Sequence, residues 1–367
     1  MRHSAVIVGP FPPPSHGNAI INKGVAEQIG AFGVPVAQIN TASPVLERNT
    51  WSRVARLGSI AKAFRKFAMS LPDAAIVYLS VSGGFAILYE CVFVVLARML
   101  GKPIVLHHHT YNYLTKYFPP AWLLMRLAGN NALHICLSGK MKCRLVRDYE
   151  VVRALVLSNA AFMPRWSLSL PRAKKVQNGT VIGLISNLCP EKGLDDFLAV
   201  ADQSQKRGLA WRFRLAGPFQ TRRLESHYKQ LLRDAGNVEY LGPLYGVGKR
   251  EFFQGLDVFL FPTRYLSEAE PIVILEALNS GVPCIASDRG CISEILEGVG
   301  ETVSPSSDFV GEAVSRIAEW TREPSNCDRL AELSRTRFVE MQDYAREIAG
   351  QLFQSLAQGR LPVTTGS

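Results

Sequence analysis

Two glutamates, Glu268 and Glu276, bracket seven residues in the stretch FPTRYLSEAEPIVILEALNSGVPCIAS, positions 261 to 287. A carboxylate accepts two hydroxyl hydrogen bonds, so two such groups beside one helix can hold a polyhydroxylated ligand at two points. Pro271 suits the first helical turn, Ile272 to Ala277 supply an apolar face, and Gly281 and Pro283 mark the end, which predicts a helix starting near Glu270. The unpaired amides of such a start, at Glu270, Ile272 and Val273, carry partial positive charge and suit an anion such as a diphosphate. Glu276 falls roughly 8 Å further along the axis, about the reach from a diphosphate to a ribose diol. Glu268 lies on the preceding loop, where it could orient the hydroxyls of a transferred sugar. The spacing therefore reads as a site for a phosphorylated sugar donor.

The flanking segments supply the elements that position these groups. DVFLFPTRY reads as a strand before the helix and GVPCIAS as a strand after it, which makes a βαβ unit. The opening residues HSAVIVGPFPPPSHGNAIINKGVAEQI read as strand, Gly/Pro loop and helix, a second place for a helix start to face a ligand. The loop lacks the GxGxxG spacing of a dinucleotide site and the Gly-Lys-Ser/Thr of an ATP loop, and His16 reads as loop-exposed. DAAIVYLS, KPIVLHHHT, ALHICLS and RALVLSNA are short β-rich runs separated by helical stretches. Strand alternation sends His107 and His109 to one side and His108 to the other, with the register open by one step. No acid or cysteine lies at ligand spacing, so no metal is expected. TVIGLISNLCPEKGLDDFLAVAD restarts the strand, loop and helix pattern from Thr180, and Lys192 in PEKG can neutralise phosphate charge as a point cation. Gly217 and Gly242 read as turns, and Glu191 as solvent-exposed.

In this frame the Glu-x7-Glu pair followed by a Gly-x-Pro strand resembles glycosyltransferase family 4, the retaining enzymes of the GT-B architecture. The resemblance implies an α/β fold of two Rossmann-like domains facing each other across a cleft. The first, residues 1 to 170, would lie on the acceptor side, and the second, 178 to 340, would bind the nucleotide sugar, with a linker near 164 to 179. A terminal helix, 341 to 358, would cross back to the first domain ahead of a flexible tail at 359 to 367. It further implies that Gly17 lets the backbone approach the donor diphosphate, that Lys192 contacts phosphate, and that His109 and Glu268 act at the transferred sugar. Ser138 and Asn159 match later crevice-facing strand ends, with local capping of the next turn as their alternative. Asn187 stands where members often carry an arginine, which weakens one phosphate contact to a neutral hydrogen bond.

Composition agrees with two globular domains: 367 residues, 47% apolar and 20% charged. The seven cysteines are scattered without a Cys-x-x-Cys pair, which suggests reduced thiols and a cytoplasmic location. Positions 85 to 100, FAILYECVFVVLARML, form the strongest apolar run, and Glu90 and Arg98 within it favour a buried helix over a membrane span. Charge is uneven. Residues 1 to 178 hold 21 Lys plus Arg against 6 Asp plus Glu, and the remainder holds 20 against 25, so the net +10 arises in the amino-terminal half. Residues 51 to 71 place Trp51, Val54, Leu57, Ile60, Phe64 and Phe67 on one helical face and Arg53, Arg56, Lys62, Arg65 and Lys66 mostly on the rest. This pattern fits a helix on the inner face of an anionic plasma membrane or an ordinary domain helix with a solvated basic face. No nucleic-acid-binding module accompanies the charge.

These readings converge on transfer of a sugar from a nucleoside-diphosphate sugar, without a cofactor, to a saccharide or lipid-linked acceptor in exopolysaccharide, capsule or lipopolysaccharide synthesis. The alternatives are a sugar-nucleotide epimerase or hydrolase on the same fold, or a non-catalytic nucleotide-sugar-binding protein.

Overall fold

The computed structural model describes residues 4–13, 17–42, 50–166 and 179–362, with the side chains of 50–57 and 324 outside that description. His16, most of the expected linker and residues 363–367 of the expected tail thus lie outside the described residues. The chain forms two units: one of residues 1–163, 266–270 and 342–367, the other of 164–265 and 271–341.

In the first unit the order is β1 (Ser4–Gly9), α1 (Gly17–Ala31), β2 (Val36–Asn40), α2 (Thr50–Ser70), β3 (Ala74–Val81), α3 (Ile87–Met99) and β4 (Ile104–His108). There follow α4 (Asn112–Thr115), α5 (Pro119–Ala128), β5 (Leu133–Cys136), α6 (Gly139–Tyr149) and β6 (Ala154–Val156). The six strands pair in the order β2-β1-β3-β4-β5-β6, and every neighbouring pair is parallel. Runs such as AVIV in β1 and IVL in β4 are continuous rather than alternating because helices cover both faces of a parallel sheet. The first crossover steps one way and the later ones the other. Right-handed connections therefore place α1 on one face and α2, α3, α5 and α6 on the opposite face.

The second unit runs through β7 (Thr180–Ile185), α7 (Leu194–Lys206), β8 (Trp211–Ala216), α8 (Arg222–Asp234), β9 (Val238–Tyr240), α9 (Gly246–Gln254) and β10 (Val258–Phe261). It continues with α10 (Ile272–Asn279), β11 (Cys284–Ser287), α11 (Ile292–Leu296), β12 (Glu301–Val303) and α12 (Phe309–Thr321). Its parallel sheet has the order β12-β11-β10-β7-β8-β9, so strand order reverses at β7 and β10. The last helix, α13 (Pro324–Ala357), belongs to the second unit up to Met341 and to the first from Gln342. Gln342 is fully buried there and donates to the carbonyls of Ala160, at 3.1 Å, and Met163, at 2.9 Å.

Two expectations change, and one that the sequence left open is decided. The apolar run at 85 to 100 is a helix with one open face: Ile87, Cys91, Val94 and Ala97 are buried, while Phe85, Leu88, Val92 and Met99 are exposed. No helix among the described residues is long and apolar enough to cross a membrane. On α2 the described part of the apolar stripe faces inward. Phe67 is fully buried, and Phe64 stacks on Phe93 with ring centroids 4.7 Å apart. Finally, residues 266–270 cluster with the first unit although the sequence groups them with the second domain, for the reason given below. All seven cysteines are free thiols.

Gly217, just past β8, has a φ of 118°, and a Cβ there would come within 1.8 Å of the Ser186 carbonyl oxygen after β7. Gly217→Ala should therefore destabilise the protein by ~3 kcal/mol through backbone strain. Gly350→Ala, in α13 with open space around it, should instead stabilise it by ~0.5–1 kcal/mol. Chemical denaturation of the two variants checks this contrast.

Candidate functional site

Ligands of parallel α/β sheets bind beyond the carboxyl ends of the strands where strand order reverses. In the second unit that point lies at the ends of β7 and β10. After β7 the chain passes Asn187, which is exposed, and enters a short 3-10 turn, Pro190–Lys192. Gly193 ends the turn with φ +80°, and a Cβ there would lie 1.9 Å from the Pro262 carbonyl oxygen, so only glycine lets this loop lie against the end of β10. The turn sets the Lys192 Nζ 4.7 Å from the ring centroid of Tyr265 and 5.8 Å from that of Phe261. The lysine head is thus held at the switch point by aromatic faces. Arg264, which the sequence reading did not single out, makes a two-point bond to Asp196 of α7, at 2.8 and 2.5 Å, and its amide donates to the Glu191 carbonyl at 2.8 Å. The loops after β7 and β10 are therefore fastened together. Glu191 itself is exposed.

The helix after β10 starts two residues later than the sequence suggests. Pro271 is its N-cap with extended backbone (φ −67°, ψ 118°), so α10 begins at Ile272 and the Glu270 amide is not part of its start. Proline there has no N–H to satisfy and tolerates the extended ψ of a cap. Its carbonyl accepts from Ile274 at 3.1 Å, while the Ile272 and Val273 amides stand in the first turn, where a helix supplies no partner of its own. Glu276, on the second turn, has a side chain only 12% exposed. Its Oε2 lies 2.5 Å from Lys249 Nζ, which reaches over from α9 as its ammonium partner. Burial pushes the Glu276 carboxyl above its usual range, and Lys249 pulls it back. A buried carboxylate held against an ammonium from another helix results. The sequence reading missed Lys249, because Lys249 and Glu276 lie on different helices and no local spacing links them.

In the first unit, β4 ends in a histidine cluster. His107 and His108 are fully buried on the strand, and His109 is the first residue beyond it. His107 Nδ1 lies 2.6 Å from the Tyr78 hydroxyl. His108 faces the other way, to Tyr113 at 2.6 Å and to His134 of β5 at 3.0 Å. The His109 ring lies against His107, centroids 3.8 Å apart, with a buried Nε2 that no described residue bonds. Burial lowers the His109 pKa to about 3, so the ring is neutral at physiological pH and acts through hydrogen bonding and shape rather than charge. No group of three or more metal-ligating side chains occurs among the described residues.

Directly after His109 the chain meets residues 266–270. The Ser267 carbonyl accepts from the Tyr111 amide at 3.3 Å and the Thr110 hydroxyl at 3.4 Å. Glu268, the next residue, is 8% exposed. The fold thus brings the segment of Glu268 to the strand end that carries His109. Glu270 has a different task from the one expected of it. Its carboxylate accepts from the Ser158 hydroxyl at 2.7 Å and the Asn159 amide at 2.5 Å, and this clasp is what joins residues 266–270 to the first unit. Ser138 caps α6 by accepting from the Met141 amide at 3.2 Å, the local alternative to a crevice role, and Asn159 is occupied by Glu270. Gly17 is the exposed first residue of α1. Gly242 accepts at its carbonyl from the Gly217 amide at 2.8 Å, which turns the chain after β8 and β9.

Comparison with known proteins bears on the fold and the family. Residues 179–322 match the family described as glycosyl transferases group 1. A curated relative, the putative colanic acid biosynthesis glycosyltransferase WcaL of Salmonella typhimurium, is 27% identical over a stretch covering 47% of this chain and 44% of WcaL. The match therefore spans less than half of that relative. Among solved structures, HepE of Anabaena in complex with UDP-glucose is 18% identical with a TM-score of 0.65, covering 94% of this chain and 99% of that one. Sucrose-phosphate synthase of Thermosynechococcus elongatus is 15% identical with a TM-score of 0.73, covering 96% and 99%. The family match thus lies, but for residues 266–270, within the second unit, and the solved structures show that the fold is GT-B.

Lys249→Met would leave the buried Glu276 carboxylate without a cation, at a cost of ~3 kcal/mol. Glu276 then has a folded pKa raised further above its unfolded value, so the lost stability should return as pH falls through that raised value and the carboxyl protonates. The double variant Lys249→Met, Glu276→Gln should recover most of the loss at every pH. Denaturation midpoints measured against pH read both effects.

Proposed function

We propose that this chain is a retaining glycosyltransferase that moves a sugar from a nucleoside-diphosphate sugar to a hydroxyl of a saccharide or lipid-linked acceptor in polysaccharide synthesis. The observation that carries the reading is the buried Glu276 carboxylate, ion-paired with Lys249, on a helix whose first turn holds the Ile272 and Val273 amides. A desolvated carboxylate beside a single ammonium keeps acceptor positions that the two hydroxyls of a ribose diol would fill. In the second unit the Ile272 and Val273 amides and Lys192 would take the diphosphate, with Asn187 as a neutral contact. His109 and Glu268 would orient the sugar.

In the reaction, the bond from the anomeric carbon to the diphosphate oxygen breaks and a bond from that carbon to the acceptor oxygen forms. The acceptor's proton passes to the departing diphosphate, and no net oxidation occurs. The transition state concentrates negative charge on the leaving group and positive charge on the sugar ring. A cation and helix amides at the first, with carboxylate and carbonyl oxygens near the second, lower its energy. A neutral His109 fits this division, since a charged imidazolium beside an oxocarbenium-like carbon would oppose it. We assign retention of configuration, with the acceptor attacking from the leaving-group face, and we give Glu268 a positioning role rather than that of a nucleophile. The UDP-glucose held by HepE makes uridine diphosphate the first base to try, and the name of WcaL supports a polysaccharide product.

A thermal-shift screen with nucleoside diphosphates and their sugars tests the donor site, because a ligand at a hundred times its Kd stabilises by roughly 2.7 kcal/mol. One base should stand out. Glu276→Ala and Lys192→Ala should each reduce that shift and lower turnover by about tenfold or more, in line with the loss of a charged contact. Unchanged donor binding and turnover in both variants would refute the assignment.

A further inference from the structure

The amino-terminal edge of the first sheet, opposite the end that carries His109, holds a cavity of about 980 Å³ that the proposed reaction does not use. Its wall is built by the turns that enter β4, β5 and β6, residues 101–104, 128–132 and 153, together with Arg360 and Leu361 from beyond α13. β4 runs from Ile104 at the cavity to His108 at the histidine cluster, about 13 Å of strand at ~3.3 Å per residue. The two places are therefore distinct.

Among the described residues five cations line the cavity, Arg98, Lys102, Arg126, Arg153 and Arg360, and no acid does. Backbone carbonyls hold three of them in place. Arg98 Nη1 donates to Leu127 at 2.9 Å and Arg126 at 3.3 Å, and Lys102 to Pro72 and Ala74, each at 2.8 Å. Arg153 donates to the carbonyls of Asn131 at 3.3 Å and Pro362 at 2.6 Å. Such bonds orient a cation without cancelling its charge. Helix ends account for part of the positive charge, since α3, α5 and α6 all finish at this edge. Each offers about half a negative charge, and Glu150, paired with Arg126, offers one more. Of the five positive charges about two to three are left over, directed at one concavity. Four of the five are arginines, whose guanidinium fork can bond two phosphate oxygens at once and stays charged at any working pH. The volume admits a molecule of nucleotide size, and the exposed Asn130 and Asn131 add neutral hydrogen-bonding groups.

We infer that this cavity is a second anion site, one that takes a soluble small molecule carrying two or more phosphates. The inference does not rest on the sugar-transfer reading.

Isothermal titration of the full chain with inorganic tripolyphosphate, in the presence of saturating uridine diphosphate, tests it. One equivalent should bind, more weakly as salt rises. Arg126→Gln and Arg360→Gln, both at exposed positions, should each weaken binding by about tenfold, the effect of removing one charge-assisted hydrogen bond. Lys62→Gln with Arg65→Gln, exposed cations of α2 that do not line the cavity, should leave the affinity unchanged, and so should Lys192→Ala. Denaturation midpoints of the variants confirm that each is folded. Absence of binding, or wild-type affinity in both arginine variants, overturns the inference. An equal loss in the α2 pair also overturns it, because the attraction is then diffuse. Loss of binding in Lys192→Ala alone places the anion at the donor site instead. Capture by phosphatidylglycerol vesicles without any response to tripolyphosphate likewise overturns the inference and assigns the charge to a lipid surface.

Discussion

Parallel strands cannot be joined by a tight turn, so every connection in both sheets must return the chain along the sheet through a helix. That constraint gathers the carboxyl ends of all strands, and the starts of the following helices, along one edge of each sheet. The chemistry-bearing residues follow. Lys192 comes after β7, Glu276 lies on the helix after β10, His109 comes after β4 and Gly17 opens the helix after β1. The reversal of strand order then opens a gap between the helices that flank β7 and β10, where a ligand can approach backbone amides and a lysine together.

The second constraint is electrostatic. Bringing a carboxylate into a largely desolvated place costs more than helix propensity can return, so Glu276 needs a counter-charge from elsewhere in the fold. Lys249 supplies it from α9. Glu270 meets the same requirement with hydrogen bonds, through Ser158 and the Asn159 amide. Three glutamates within nine residues of sequence thus have three settings. Glu270 is consumed in structure, Glu276 is paired with an ammonium from another helix, and Glu268 is buried beside the segment that follows His109.

The helical layer of the first unit shows how one sequence pattern can be read in two directions. The amphipathic stretch at 51 to 71 suggests an apolar face available to a membrane, yet Phe64 and Phe67 are used to pack α2 on α3. The run at 85 to 100 suggests burial, yet its second face is open because α3 is covered by the sheet on one side only. Hydrophobic periodicity reports that a face is apolar; which neighbour covers it is decided by where the crossovers place each helix.

Much of the site was legible in the sequence because its parts are local: a Gly/Pro loop before a helix, a lysine before a glycine that must take positive φ, two acids at fixed spacing around a helix start. Strand runs rich in Val, Ile and Leu, separated by helical patterns, likewise determined the α/β class, since only a sheet covered on both faces makes such runs stable. Only the tertiary structure decided the start of α10 at Ile272, the diversion of Glu270 into a clasp, and the pairing of Lys249 with Glu276. Those outcomes depend on contacts between residues far apart in the chain, and no window of sequence contains the energy of desolvating one group against another.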